Sequence, residues 1–84
     1  AELELKVRAN FEIAKSAIEA EGFRSKTVRE QESDYRGGRL SLAELIRTYN
    51  SYLDAQSRRV RAVGDYHIAL NELAAFRDEL VKEK

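Results

Sequence analysis

The stretch Tyr35-Arg36-Gly37-Gly38-Arg39-Leu40-Ser41 is the one place where this 84-residue chain is equipped to reverse direction. No proline occurs anywhere, so nothing else in the sequence forbids a continuous helix. A glycine just past a periodic segment can take the left-handed conformation that ends a helix without a Cβ clash, and either Gly37 or Gly38 can supply it. Restart signals follow at once. Ser41 is placed to accept from the amide of Glu44 while Glu44 reaches back to Ser41, a capping box, and Leu40 can pack on Leu45 as a hydrophobic staple. A connection of about four residues makes the two flanking helices antiparallel neighbours.

Both flanks carry helical periodicity. Before the turn, Val7, Phe11, Ala14 and Ile18 recur at steps of four and three, and the same register collects Val28 and Tyr35. A second stripe of Ala9, Ile13, Ala17 and Ala20 runs beside it, which widens the apolar face so that it can meet more than one neighbour. From Glu21 to Asp34 the pattern thins and Gly22 costs about 1 kcal/mol of helix propensity relative to alanine, so this stretch is expected to be looser. After the turn, Leu42, Leu45, Tyr49, Tyr52, Gln56, Arg59, Val63, Tyr66, Leu70, Leu73, Arg77 and Leu80 keep a heptad register. A parallel row, Ile46, Leu53, Val60, His67, Ala74 and Val81, is apolar at all but His67 and predicts a second broad buried face. The fold expected is all-α, an antiparallel two-helix coiled-coil hairpin forming one unit over residues 1–84. Helix one covers about 2–36, the turn 37–40 and helix two about 41–82, giving a rod on the order of 50 to 60 Å long. The chain opens inside a helical pattern without an initiator methionine, so it is expected to be a segment of a longer protein.

Composition narrows the function. With no cysteine there is no disulfide, thiolate metal site or thiol nucleophile. Fifteen basic residues balance fifteen acidic ones and the signs are interspersed, which argues against a nucleic-acid partner. No apolar run approaches the ~20 residues that span a bilayer, so no membrane contact by this segment is expected. Charged residues make up 36 % of the chain, and most are spaced as a solvated helical face.

Candidates for chemistry are few. His67 is the sole histidine, and its sequence neighbours Asp65 and Tyr66 point to other sides of a helix, so they assemble no triad. Asn71, four residues on, offers an amide oxygen that suits imidazole-type metals poorly. Gly37-Gly38 lacks the glycine-rich and lysine pattern of a phosphate loop and follows a helix rather than a strand. Neither catalytic residue, metal nor cofactor is expected. In the basic run Arg58-Arg59-Val60-Arg61, Arg59 falls on the heptad seam. A hairpin centred near Arg39 sets it opposite Glu19 and Glu21, where an ion pair can form. Tyr49, Tyr52 and Tyr66 also fall at seam positions, where their hydroxyls need partners or a wet edge.

The segment Tyr35-Arg36-Gly37-Gly38-Arg39-Leu40-Ser41-Leu42-Ala43-Glu44-Leu45, then Leu53-Asp54-Ala55-Gln56 and Tyr66-His67-Ile68-Ala69-Leu70-Asn71-Glu72-Leu73, resembles the TolC-like outer-membrane efflux protein family, nearest to its heavy-metal resistance branch. Tyr35, Gly38 and Ser41 match the Y-x-x-G-x-x-S turn of that family's coiled-coil hairpins. The likeness runs from about Val7 to Leu80, whereas the family's chains are several times longer and add a β-barrel, an equatorial region and a second hairpin. The resemblance implies a periplasmic hairpin of an outer-membrane channel. Such hairpins pack side by side into a homotrimeric α-barrel, and their turns dock onto the periplasmic adaptor protein of a tripartite efflux pump. It implies a partner-binding tip at Tyr35, Gly37, Gly38, Arg39, Leu40 and Ser41, and self-association through the helix faces. The competing expectation is the hairpin of a periplasmic adaptor (membrane fusion) protein, whose usual form is flanked by lipoyl-like β segments, or an unrelated coiled-coil module.

Overall fold

A computed structural model describes residues 2–82, which form an antiparallel hairpin of two helices, α1 (Glu2–Arg36) and α2 (Leu42–Lys82). The hairpin is about 14 by 13 Å in cross-section. Forty-one residues at ~1.5 Å each make α2 about 60 Å long. Two helices side by side have no interior beyond the line where they touch. The core is therefore a seam.

The seam is made largely of small residues. Ala14 and Val28 of α1 and Leu45, Ala55, Ala62 and Ala69 of α2 are its buried residues, with Ala69 only 1 % exposed. Half-buried Tyr52, Arg59, Tyr66 and Leu73 alternate with the alanines and close the seam from one side. Small side chains let the two backbones approach closely, while each buried methyl contributes only about 0.8 kcal/mol, against roughly 1.5–3 for a valine or leucine. Alanine also has the highest helix propensity, so the same residues favour each helix locally and fit the narrow seam.

This arrangement corrects the heptad expected on α2. Leu45, Tyr52, Arg59, Tyr66 and Leu73 do face α1, but the other seam row is Thr48, Ala55, Ala62 and Ala69, one position before Tyr49, Gln56, Val63 and Leu70. The row Ile46, Leu53, Val60, His67 and Ala74 is not buried at all: Leu53 is 52 % and Val60 59 % exposed. Val81, the last of that row, lies outside the residues whose side chains are described. On α1, Val7, Ala14 and Val28 turn inward, whereas Phe11, Ile18 and Tyr35 of the same expected stripe remain exposed, as do Ala9, Ile13 and Ala20 of the second. The closest packing of two helices selects the narrowest residues, and the bulkier ones are displaced to the flanks.

The stretch expected to be loose is continuous helix through Gly22. Polar bonds flank the buried Val28 there. Glu21 pairs with Arg59, the Thr48 hydroxyl donates to Gln31 Oε1, and the Tyr49 hydroxyl donates to a Glu32 carboxylate oxygen. At the open end, Lys6 reaches Glu72 at 2.9 Å and Arg77 reaches Glu4 at 3.7 Å.

Candidate functional site

The tip is built by two helix ends meeting across five residues, Gly37 to Ser41. Asp34 O accepts from the Arg39 amide at 2.8 Å and Tyr35 O accepts from the Gly38 amide at 3.0 Å, the paired bonds of a Schellman motif. Gly38 is the residue in the left-handed region, with φ of 76°. Gly37, whose amide continues the helix by donating to Ser33 O at 3.0 Å, is not. An added Cβ at Gly37 would meet only the Arg39 guanidinium, the movable end of a long side chain.

Arg39 is more constrained than the sequence suggests. The Schellman geometry sets it over Asp34, and the two side chains form an ion pair at 3.2 Å where an apolar contact usually sits. Arg36 lies 3.8 Å from Glu32 on the last turn, so both tip arginines are engaged with carboxylates near the carbonyl end of α1. Ser41 Oγ accepts from the Glu44 amide at 3.2 Å and Ser41 O accepts from Leu45, which caps α2 and starts it at Leu42. Leu45 is buried and Leu40 half-buried, while Leu42 and Tyr35 are exposed. Tyr35, Gly37, Gly38, Arg39, Leu40 and Ser41 thus form one surface. Gly38 and Ser41 are also committed to the turn itself. Asp34 belongs to this surface, and its role follows only from the three-dimensional turn.

Away from the tip, an open apolar groove of about 300 Å³ runs along one broad face, lined by Phe11, Ile18, Val63, Tyr66 and His67. The Phe11 and Tyr66 rings are tilted with centroids 5.6 Å apart, and His67 lies 5.9 Å from Tyr66. His67 is therefore part of an aromatic edge. On the opposite face a second groove is lined by small and charged residues, among them Ser16, Ala20, Ser51, Asp54 and Arg58, with Arg58 and Asp54 paired at 3.1 Å.

The Tyr49 phenol is shifted by its surroundings. Its hydrogen bond to the Glu32 carboxylate, with burial and the Glu32 charge adding to it, raises the phenol above its ordinary value of 10.0. Among the described residues no group of three or more His, Asp or Glu side chains is placed to hold a metal ion, and no helix is long and apolar enough to cross a membrane. What the arrangement offers chemically is surface: a rigid turn, two grooves and large apolar side chains presented outward. No family model, curated protein or solved structure matches the chain.

Proposed function

We propose that this chain is a non-enzymatic structural and interaction module, a hairpin that packs beside other helices through its flanks and offers its turn to a partner protein. The observation that carries this reading is the inverted placement of bulk. Alanines are four of the six buried seam residues, while Ile13, Phe23, Ile46, Leu53, Val60 and Ile68, each at least half exposed, lie outside it. A hairpin meant to stand alone gains nothing from large apolar side chains in water, and a monomer seldom exposes them as continuous patches. A helix in the wall of a larger bundle has neighbours on two sides, and this distribution suits it.

The turn sequence extends the proposal to a specific setting. Tyr35, Gly38 and Ser41 match the hairpin turn of the TolC-like outer-membrane efflux family, and on that resemblance the hairpin stands in the periplasm, in the homotrimeric conduit of an outer-membrane protein. Its tip then docks onto a periplasmic adaptor protein. Leu40→Asp and Tyr35→Ala test the tip in the full-length efflux protein that this reading implies. Each is expected to weaken adaptor cross-linking and efflux while helicity and trimer assembly stay normal. Unchanged cross-linking and efflux in both variants would refute tip docking.

A further inference from the structure

The groove that Ser51 and Arg58 line continues towards the tip into a pocket of about 200 Å³, lined by Arg24, Thr27 and Gln31 of α1 and by Arg47, Thr48 and Ser51 of α2. Two guanidinium groups line it and no carboxylate does. Elsewhere on the hairpin the two signs meet: Arg36, Arg39, Arg58, Arg59 and Arg77 are each paired with Asp or Glu. Arg24 and Arg47 are exposed, and neither pairs with a carboxylate among the described residues. Asp54, in the adjoining groove, is held by Arg58 at 3.1 Å. In a chain whose acidic and basic residues balance, this pocket is left positive.

Hydrogen bonds inside the pocket bias it the same way. The Thr48 hydroxyl donates to Gln31 Oε1, which takes up the acceptor of that amide and leaves its nitrogen, a double donor. Thr27 uses its proton on Phe23 O at 3.1 Å. The donors are thus two guanidiniums, the Gln31 amide nitrogen and the Ser51 hydroxyl, drawn from both helices. Counting outward from the Gln31–Thr48 pair, Arg47 is level with about residue 32 of α1, so the arginines stand about eight residues, or ~12 Å, apart along the axis. The pocket is positive at each end and neutral between.

We infer that this pocket binds a small anion with charge at both ends, of the diphosphate kind. Each end takes one arginine fork, which matches the oxygens of a phosphate group, and the Gln31 amide and Ser51 hydroxyl donate between them. An anion of single charge, such as chloride, meets only one arginine. The pocket lies on a broad face, so packing through the flanks leaves it open to water, and it is remote from whatever docks at the tip. Because the arginines come from different helices, a bound anion ties α1 to α2 and stabilises the folded hairpin.

The test titrates inorganic diphosphate into the whole chain in magnesium-free buffer, followed by the arginine Nε–H resonances and by the melting temperature. Sodium chloride and inorganic phosphate at matched ionic strength are the comparisons. Diphosphate is expected to move the Arg24 and Arg47 signals and to raise the melting temperature more than either. Arg24→Gln and Arg47→Gln are each expected to weaken binding several-fold and together to abolish it, with helicity unchanged. A double Arg8→Gln and Arg29→Gln variant removes the same charge from arginines that line neither this pocket nor the two grooves described above, and is expected to bind normally. A nucleoside diphosphate separates the sources of the group: binding as tight as that of the inorganic ion assigns the pocket to a diphosphate carried on a larger molecule, and weaker binding assigns it to the free ion. Arg24 and Arg47 signals that stay in place, phosphate or chloride acting as strongly as diphosphate, or equal losses in the two double variants would overturn the inference.

Discussion

The seam and the outer flank of α2 lie on one helix, nearly half a turn apart, and follow opposite rules. On the seam, Ala55, Ala62 and Ala69 are buried; on the flank, Ile46, Leu53 and Val60 are more than half exposed. Hydrophobicity alone would have placed the larger side chains inside. The difference shows that polarity alone does not decide which residues a two-helix seam accepts: four of its six buried residues are alanines, and the branched Val28 and Leu45 are the only larger ones among them. Fold and the proposed packing beside neighbours thereby fall to separate rows of the same helix.

The comparison breaks most sharply if the seam is enlarged. Ala69→Leu forces several extra carbons into the tightest point and is expected to lower unfolding free energy by about 1–3 kcal/mol, measured by urea denaturation at low protein concentration. Leu53→Ala on the flank is expected to change the same quantity by no more than about 0.5 kcal/mol while reducing self-association seen by sedimentation. Equal losses from the two substitutions would erase the distinction between the rows.

Next in size is the turn on which both rows depend. Gly38→Ala puts a Cβ into a left-handed conformation and is expected to cost about 1–2 kcal/mol, whereas Gly37→Ala asks only the Arg39 side chain to move. Thermal melts of the two variants, compared at one concentration, check the ordering. Ser41→Ala removes the cap of α2 and is expected to cost about 1 kcal/mol.

The polar layer of the seam has a smaller effect. Glu21 and Arg59 are part-exposed, so a double-mutant cycle with Glu21→Gln and Arg59→Gln is expected to give a coupling of about 0.2–1 kcal/mol that fades as salt is added. A coupling insensitive to salt would mean that the pair acts through packing. The smallest effect is expected at Tyr49. Its phenol is raised in the fold, so the bond to Glu32 stabilises below the ordinary tyrosine pKa and is lost as pH rises through the higher folded value. Tyr49→Phe should remove a late-ionising step from a phenolate absorbance titration and leave stability near pH 7 almost unchanged.

The turn was legible in the sequence because its chemistry is local: a glycine where φ is positive and a serine one residue before a helix. Which glycine took that role was not, since Gly37 and Gly38 differ only in where the preceding helix uses up its carbonyls. The Glu21–Arg59 pairing followed from counting outward from the turn. The seam row on α2 was misread by one position because alanine is a weak marker in any hydropathy pattern, and Tyr49, Val63 and Leu70 beside it are strong ones. The bond of Arg39 to Asp34 depends on a backbone reversal that no spacing rule displays. At the proposed docking surface the residue types were visible, while their division between shaping the turn and facing outward required coordinates.

The brevity of the turn also orders the events of folding. The Gln31–Thr48 bond joins residues 17 apart in sequence, and the Lys6–Glu72 bond joins residues 66 apart. Closing the longer loop directly from the unfolded chain costs about 1.2 kcal/mol more entropy, two doublings of loop length at about 0.6 each. Zipping outward from Gly38 avoids that cost, since each new pair closes only a few residues beyond the last. The hairpin therefore forms like a fastener drawn from its tip, and its open end, held by exposed ion pairs, is the first place where amide protons should exchange with solvent.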